Sequence, residues 1–344
     1  VDTADYSASP ERIIVSLAHG FAAGGDASGD TVVSVENVVG SAFDDIILGD
    51  GSANALKGGA GDDVLIGGDN SDTFTGGAGR DVFTVLPQDG LTSMVLLHIT
   101  DFDLAEDRLD LSLLAVSNET ASESGGVTLY QFDTPQRTVR ITLDGVFTLA
   151  QLQAAQVVPQ IQGQTFLPLV GTNGADRLIA NDLGSVAVAN AGDDIVAGGA
   201  GGDELTGNDG SDILFANHPI GTQGNAQNAN QLYGGADTDL LFGSGGADIM
   251  RGDGGADLLV GGGGADTYHI DNANDVIVDD SLDSNLVILD YRPETDLYVW
   301  NSITRVAMTE AADSSLIGAA GPAYVVIGNA LDNLLIGNSF YNHL

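Results

Sequence analysis

Apolar residues recur on a strict nine-residue beat over long stretches of this chain. From Gly40 to Thr84 run five nonapeptides whose eighth residues are Ile47, Leu56, Leu65, Phe74 and Phe83. From Gly171 to His269 run eleven more, with Leu178, Val196, Leu205, Leu214, Leu232, Leu241, Met250, Leu259 and Tyr268 at the eighth position. Such an apolar residue predicts a short strand whose central side chain points inward while its neighbours face out. The glycines that open each nonapeptide permit positive φ and close backbone approach, so they predict a tight turn before the strand. Two such units, about eighteen residues, make one coil of a flattened right-handed helix of strands. No unit can bury its apolar residue alone, so stacking is compulsory.

The sixth position carries the chemistry. In the best copies it follows a glycine pair, as in Gly58-Gly59-Ala60-Gly61-Asp62-Asp63-Val64-Leu65-Ile66 and Gly76-Gly77-Ala78-Gly79-Arg80-Asp81-Val82-Phe83-Thr84. A third good copy is Gly198-Gly199-Ala200-Gly201-Gly202-Asp203-Glu204-Leu205-Thr206. Aspartate, a hard oxygen ligand, recurs at the sixth position as Asp45, Asp63, Asp72 and Asp81, then as Asp176, Asp194, Asp203, Asp212, Asp239, Asp248, Asp257 and Asp266. Asn54, Asn230 and Asn333 lower the ligand charge, Asn70 replaces a glycine, and Ser185 and Gly221 offer no carboxylate. Residues 216–224 keep the count of nine but lack an apolar eighth residue, so with residues 225–231 they read as a bulged loop.

These phrases resemble the RTX, or hemolysin-type, family of secreted calcium-binding nonapeptide repeats. The resemblance implies an all-β fold: a parallel β-roll with glycine-rich calcium-binding turns, here two rolls plus a cap-like β segment. It also implies several Ca²⁺ ions held between turns eighteen residues apart, by sixth-position aspartates and carbonyls of the glycine-rich part. In this chain the implied ligands are the twelve aspartates above, with Gly58, Ala60, Gly61, Gly76, Gly77, Gly79, Gly198, Gly199 and Gly201. On this sequence the resemblance implies pairing of Asp45 with Asp63 and of Asp63 with Asp81 along one edge and of Asn54 with Asp72 on the other. In the second run it implies Asp176, Asp194 and Asp212, and Asp248 with Asp266, on one edge and Asp239 with Asp257 on the other.

Charge sharpens this picture. The net charge is −39, and Lys57 is the single lysine. A compact polyanion of this strength repels itself, so the expectation is a poorly folded metal-free chain and a stable calcium-bound one. Without a basic patch, nucleic-acid binding is excluded. No apolar run approaches a membrane span. There is no cysteine, which fits a secreted protein stabilised by metal rather than by disulfides.

Along the chain we expect four segments: a strand-rich leader and first roll over 1–85, a cap-like β segment and linker over 86–165, a second roll over 166–284, and strand-rich coils with a truncated third roll over 285–344. In the leader, Ile13–Leu17 and Thr31–Val39 read as strands. In the cap, Val127–Tyr130, Thr138–Leu143 and Val146–Phe147 read as strands and Leu149–Val157 as a short helix. The cap segment Ile99–Ser112 resembles the terminator of secreted RTX rolls, which covers the last coil's open edge. There, Asp101, Asp103 and Asp107 are candidates for one more ion, with solvated loop carboxylates an equal alternative. The chain opens on Val1 without a signal-peptide pattern and stops mid-repeat at Leu344, which reads as a piece of a longer chain, or a processed or trimmed product.

No catalytic constellation is expected. There is no His-Glu-x-x-His and no Gly-x-Ser-x-Gly, and no glycine phrase is followed by the Lys-Ser/Thr of a phosphate loop. The expected role is an extracellular, calcium-folded spacer or assembly unit of an adhesin, surface layer or filament, with head-to-tail contacts between copies or neighbouring domains as candidate partners. The alternatives are the non-catalytic calcium-binding part of a secreted enzyme (protease, lipase or alginate epimerase) and a carbohydrate-binding module built on Tyr298 and Trp300.

Overall fold

The computed structural model describes residues 1–68, 70–86, 95–135, 137–161, 168–181, 183–217, 228–272, 274–279 and 285–289, with short strands between 297 and 343. It divides into two compact units, one spanning Val1–Val158 and one starting at Pro159. The expected bulged loop lies largely outside the described residues, as do Asn333, Trp300 and the side chain of Tyr298.

The first unit is built from two sheets joined coil by coil. One holds Thr3–Asp5, Asn37–Val39, Ala55–Ala60, Ser71–Ala78, Val95–Ile99, Thr138–Asp144, Val127–Asp133 and Ser117–Ser124, in that spatial order. The other holds Arg108–Asp110, Val82–Thr84, Val64–Ile66, Ile46–Leu48, Ile14–Ser16 and Phe21–Ala23. Pairing within the repeats is parallel and in the eighteen-residue register: Leu56 lies opposite Phe74, and Leu65 opposite Phe83. The eighth-position residues Ile47, Leu56, Leu65, Phe74 and Phe83 are fully buried between the sheets. Full burial of each such side chain contributes about 1.5–3 kcal/mol, and the Phe74 and Phe83 rings stack at 6.1 Å.

The leader forms a wider coil. Ile14–Ser16 pairs in parallel with Ile46–Leu48, and Thr3–Asp5 with Asn37–Val39. Of the expected Thr31–Val39 strand, the Asn37–Val39 part forms, and Phe21–Ala23 turns back antiparallel on Ile14–Ser16. At the far end Val95–Ile99 joins the roll to an antiparallel sheet of Thr138–Asp144, Val127–Asp133 and Ser117–Ser124. The Leu149–Ala154 helix starts at a Thr148–Gln151 capping box. Val146 and Phe147, expected in a strand, lie outside any; Phe147 instead packs edge-on against Phe102 at 5.7 Å.

The second unit repeats the plan. Short strands Arg177–Ile179, Ile195–Ala197, Ile213–Phe215, Leu240–Phe242, Leu258–Val260 and Val276–Val278 make one parallel ladder. Val186–Ala191, Glu204–Asp209, Gln231–Ala236, Ile249–Gly254, Thr267–Ile270 and Asn285–Leu289 make the other. The expected parallel β-roll is therefore the fold of the repeats, with Leu178, Ala187, Val196, Leu205, Leu214, Leu232, Leu241, Met250, Leu259 and Tyr268 in its core.

One expectation about this roll fails. Glu204 pairs with Gln231 and Ile213 with Leu240, steps of 27 residues rather than eighteen. The coil that contains residues 216–230 therefore carries one nonapeptide more than its neighbours. Each nonapeptide switches edge, so the extra one inverts the parity of everything after it. Asp239 and Asp257 accordingly share an edge with Asp176, Asp194 and Asp212. Asp248 and Asp266 share the opposite edge with Asp203.

Candidate metal centre

Each sixth-position residue ends a turn and enters a strand, so the two edges of a roll are told apart by the strands they feed. The first edge feeds the short strands and carries Asp45, Asp63, Asp81 and Asp107 in the first unit. In the second unit it carries Asp176, Asp194, Asp212, Asp239, Asp257 and Asp275. The second edge feeds the longer strands and carries Asn54 and Asp72, then Ser185, Asp203, Asn230, Asp248, Asp266 and Asn285.

A repeated hydrogen bond sets the spacing on both edges. The backbone N–H of Asp45 donates to Asp63 Oδ1 at 2.8 Å, and that of Asp63 to Asp81 Oδ1 at 3.0 Å. In the second unit the N–H of Asp194 donates to Asp212 at 2.9 Å, that of Asp212 to Asp239 at 2.8 Å, and that of Asp239 to Asp257 at 2.8 Å. The second edge follows suit, Asn54 to Asp72 at 2.9 Å and Asp203 to Asn230 at 2.9 Å. One carboxylate oxygen of each rung is thereby committed to structure.

The other oxygen is the informative one. Oδ2 of Asp63, Asp81, Asp194, Asp212, Asp239, Asp257 and Asp266 is buried with no hydrogen-bond partner. Such an atom costs roughly 1–3 kcal/mol, and more if charged, unless something fills the gap. The glycine opening the turn makes the room. A Cβ on Gly58 or Gly76 would sit 2.1 Å from the Oδ2 of Asp63 or Asp81, and one on Gly207 would sit 1.9 Å from that of Asp212. Gly77 and Gly79 hold φ of 112° and 138°, and side chains there would strike the backbone oxygens of Gly59 and Gly61 in the preceding coil at 2.0 Å. A Cβ on Gly61 would meet Phe43, and one on Gly201 would meet Gly184.

Burial also distorts the acid strengths. It pushes Asp63, Asp212 and Asp257 up to about 8, and Asp81, Asp194 and Asp266 up to about 7, with neighbouring carboxylates adding to the rise. Asp239 goes furthest, to about 10, by burial and then by the charge of Asp257. Metal-free, burial and mutual repulsion shift these groups toward the protonated form; a cation seated among them would favour the ionised one.

A family model described as RTX calcium-binding nonapeptide repeat (4 copies) matches residues 35–65, 48–83, 188–217, 233–268 and 242–277. The chain carries RTX calcium-binding repeats. No curated protein matches it. Among solved structures, the AlgE6R3 subunit of the Azotobacter vinelandii mannuronan C5-epimerase is 27% identical over 35% of this chain and 76% of that one, with a TM-score of 0.29. The extracellular lipase LipA of Serratia marcescens is 16% identical over 76% of this chain and 33% of that one, with a TM-score of 0.18.

The donor chemistry of these RTX repeats fits the ion. Calcium takes six to eight hard oxygen ligands in a flexible geometry. The turns offer carboxylate and backbone oxygens and no sulfur, since the chain lacks cysteine. Sequence reasoning missed part of the set. Asp275 continues the first edge, accepting from the N–H of Asp257 at 3.1 Å, although its repeat opens on Ile270 rather than glycine. Asp257, Asp271 and Asp275 bring carboxylate oxygens within 4.8 Å of one another. In the cap, Asp101 accepts the N–H groups of Gly76 and Gly77 at 3.0 and 2.9 Å. Asp107 accepts those of Asp81 and Asp103 at 3.1 and 2.8 Å. These cap carboxylates thus hold the last coil by backbone hydrogen bonds.

Proposed function

We propose that this chain is a secreted structural module that folds on binding Ca²⁺ and then serves as a stiff spacer or assembly unit of an extracellular protein. The observation that carries this reading is the column of buried, unpartnered Oδ2 atoms at Asp63, Asp81, Asp194, Asp212, Asp239 and Asp257, in a chain of net charge −39. In this reading these aspartates and Asp266 hold the ions, with backbone oxygens of the glycine-rich turns completing each shell. Each ion supplies two positive charges where desolvated carboxylates otherwise repel. Binding free energy is then folding free energy. Extracellular calcium modules work at roughly 10⁻⁴–10⁻³ M, so a chain tuned to that range stays loose where calcium is scarce and folds outside the cell.

A calcium titration of the full chain tests this, read together by far-ultraviolet circular dichroism and light scattering. A cooperative gain of β signal is expected, with particle mass rising if copies assemble. Folding at constant monomer mass would remove the assembly role and keep the spacer. No response to calcium would overturn the reading.

A further inference from the structure

The turns come in two kinds, told apart by what their second residue does. At Asp45 the N–H of Ser41 donates to Oδ2 at 2.5 Å and the Ser41 hydroxyl to Oδ1 at 2.8 Å. At Asp176 the N–H and hydroxyl of Thr172 donate to Oδ2 at 2.5 and 2.9 Å. At Asp248 the N–H and hydroxyl of Ser244 do the same at 2.6 and 3.0 Å. Asp203 Oδ2 takes the N–H of Gly199 at 2.8 Å, and Asn54 Oδ1 that of Asp50 at 2.9 Å. These turns cap their own sixth residue.

The other kind leaves Oδ2 open. The second residues at Asp63, Asp81, Asp194, Asp212, Asp239, Asp257 and Asp266 are Gly59, Gly77, Asn190, Asn208, Gly235, Asp253 and Gly262. All seven hold φ between 63° and 131°. Glycine and, at lower cost than other residues, Asn and Asp accept that left-handed conformation. None of Ser41, Asp50, Thr172, Gly199 and Ser244 adopts it. The correspondence holds at every one of these twelve turns.

The two kinds are not scattered. On the first edge Asp63 and Asp81 are open, bracketed by the capped Asp45 and Asp107. Asp194, Asp212, Asp239 and Asp257 are open between the capped Asp176 and Asp275, the latter accepting the N–H of Asn272 at 3.1 Å. On the second edge Asp266 alone is open among the described residues. At Asn230 the side-chain amide donates to Asp248 at 2.9 Å and to Ser244 at 3.1 Å, so the protein itself supplies donors there. The three-carboxylate group of Asp257, Asp271 and Asp275 closes the first edge.

From this pattern we infer that the rolls load calcium mainly on one edge: ions line the edge that feeds the short strands, while on the other edge the turns at Asn54, Asp203, Asn230 and Asp248 are closed by the protein's own hydrogen bonds. The inference rests on the calcium reading above. At a capped turn N–H donors already satisfy the carboxylate, so a cation gains less there, whereas filling an open turn satisfies a buried oxygen that has no partner.

Hydrogen exchange on the unmodified full chain tests it without any variant. Added calcium is expected to slow exchange about tenfold or more, as a local opening is suppressed, in turns 58–63, 190–194, 207–212 and 234–239. Turns 199–203 and 244–248 are expected to change several-fold less. Calorimetry adds a second arm: Asp212→Asn or Asp239→Asn is expected to lose about one bound ion, and Asp203→Asn or Asp248→Asn none. Calcium binding with equal protection on both edges and equal ion loss from both classes overturns one-sided loading and leaves the calcium reading intact. Absence of calcium heat and of protection everywhere sinks both.

Discussion

Replacing Gly207 by alanine adds one methyl group at the point where the open turn has least room. The new Cβ would stand 1.9 Å from Asp212 Oδ2 and 2.7 Å from the carbonyl oxygen of Gly234 in the next coil. An ordinary contact is near 3.5 Å, so the carboxylate must retreat by well over an ångström or the coil must shift. Overpacking of this kind costs roughly 1–3 kcal/mol in the folded chain. The larger effect is on the ion: displacing Asp212 removes a ligand, and each tenfold weakening corresponds to about 1.4 kcal/mol. The expected outcome is a calcium midpoint raised about tenfold or more, with a lower Tm at saturating calcium. The control is Gly174→Ala, where a Cβ meets nothing within 4 Å. Circular dichroism followed against calcium concentration measures both variants. If Gly207→Ala kept the unmodified midpoint and Tm, the open turn would not be where calcium binds.

Protons and calcium should compete. Asp63 and Asp239 are raised in the folded chain to about 8 and about 10 by burial, from 3.8, so the metal-free fold gains stability at low pH and loses it as pH rises from about 4 through those values. Urea melts of the calcium-free chain at pH 5 and pH 9 should show the acid sample more resistant; equal midpoints would contradict the assigned burial. Calcium added at pH 7 should release protons, measurable with an indicator dye in weak buffer. Leu65→Ala and Leu241→Ala each empty a fully buried position and should cost about 2–5 kcal/mol, read from denaturation at fixed calcium. Thr148→Ala removes the capping box of the cap helix and should cost about 0.5–2 kcal/mol without moving the calcium midpoint.

The roll was legible because its stabilisation is periodic. A side chain that must be buried every nine residues leaves a mark in the sequence, and Leu65, Phe74, Leu205 and Leu241 all stand where the beat puts them. Features without a beat were not legible. Ser117–Ser124 forms an edge strand although its side chains are almost all polar and exposed, so no alternation announces it; its partner Val127–Asp133 supplies the buried face. The edge swap at residues 216–230 depends on a loop length, and a nine-residue count is silent on whether nine residues form a strand. Asp275 was hidden because no glycine opens its repeat. The split between open and capped turns is written in second-position residues: Ser41, Thr172 and Ser244 cap with their hydroxyls, a pattern visible in the sequence once the bond is known. Gly199 caps and Gly59 does not, and there only the backbone angle decides.

The rung hydrogen bond has a direction. Along the first edge the amide of one coil is satisfied by the aspartate of the coil after it: Asp45 by Asp63, Asp63 by Asp81, Asp81 by Asp107, and Asp176 through Asp257 by their successors. A coil is therefore unfinished until the following one exists. In a chain that emerges N-terminus first, each coil waits on the next, and closure advances one step behind emergence. Asp107 is then a stop signal as much as a structural group, since it satisfies the amide of the first roll's last repeat, that of Asp81, from outside the nine-residue beat.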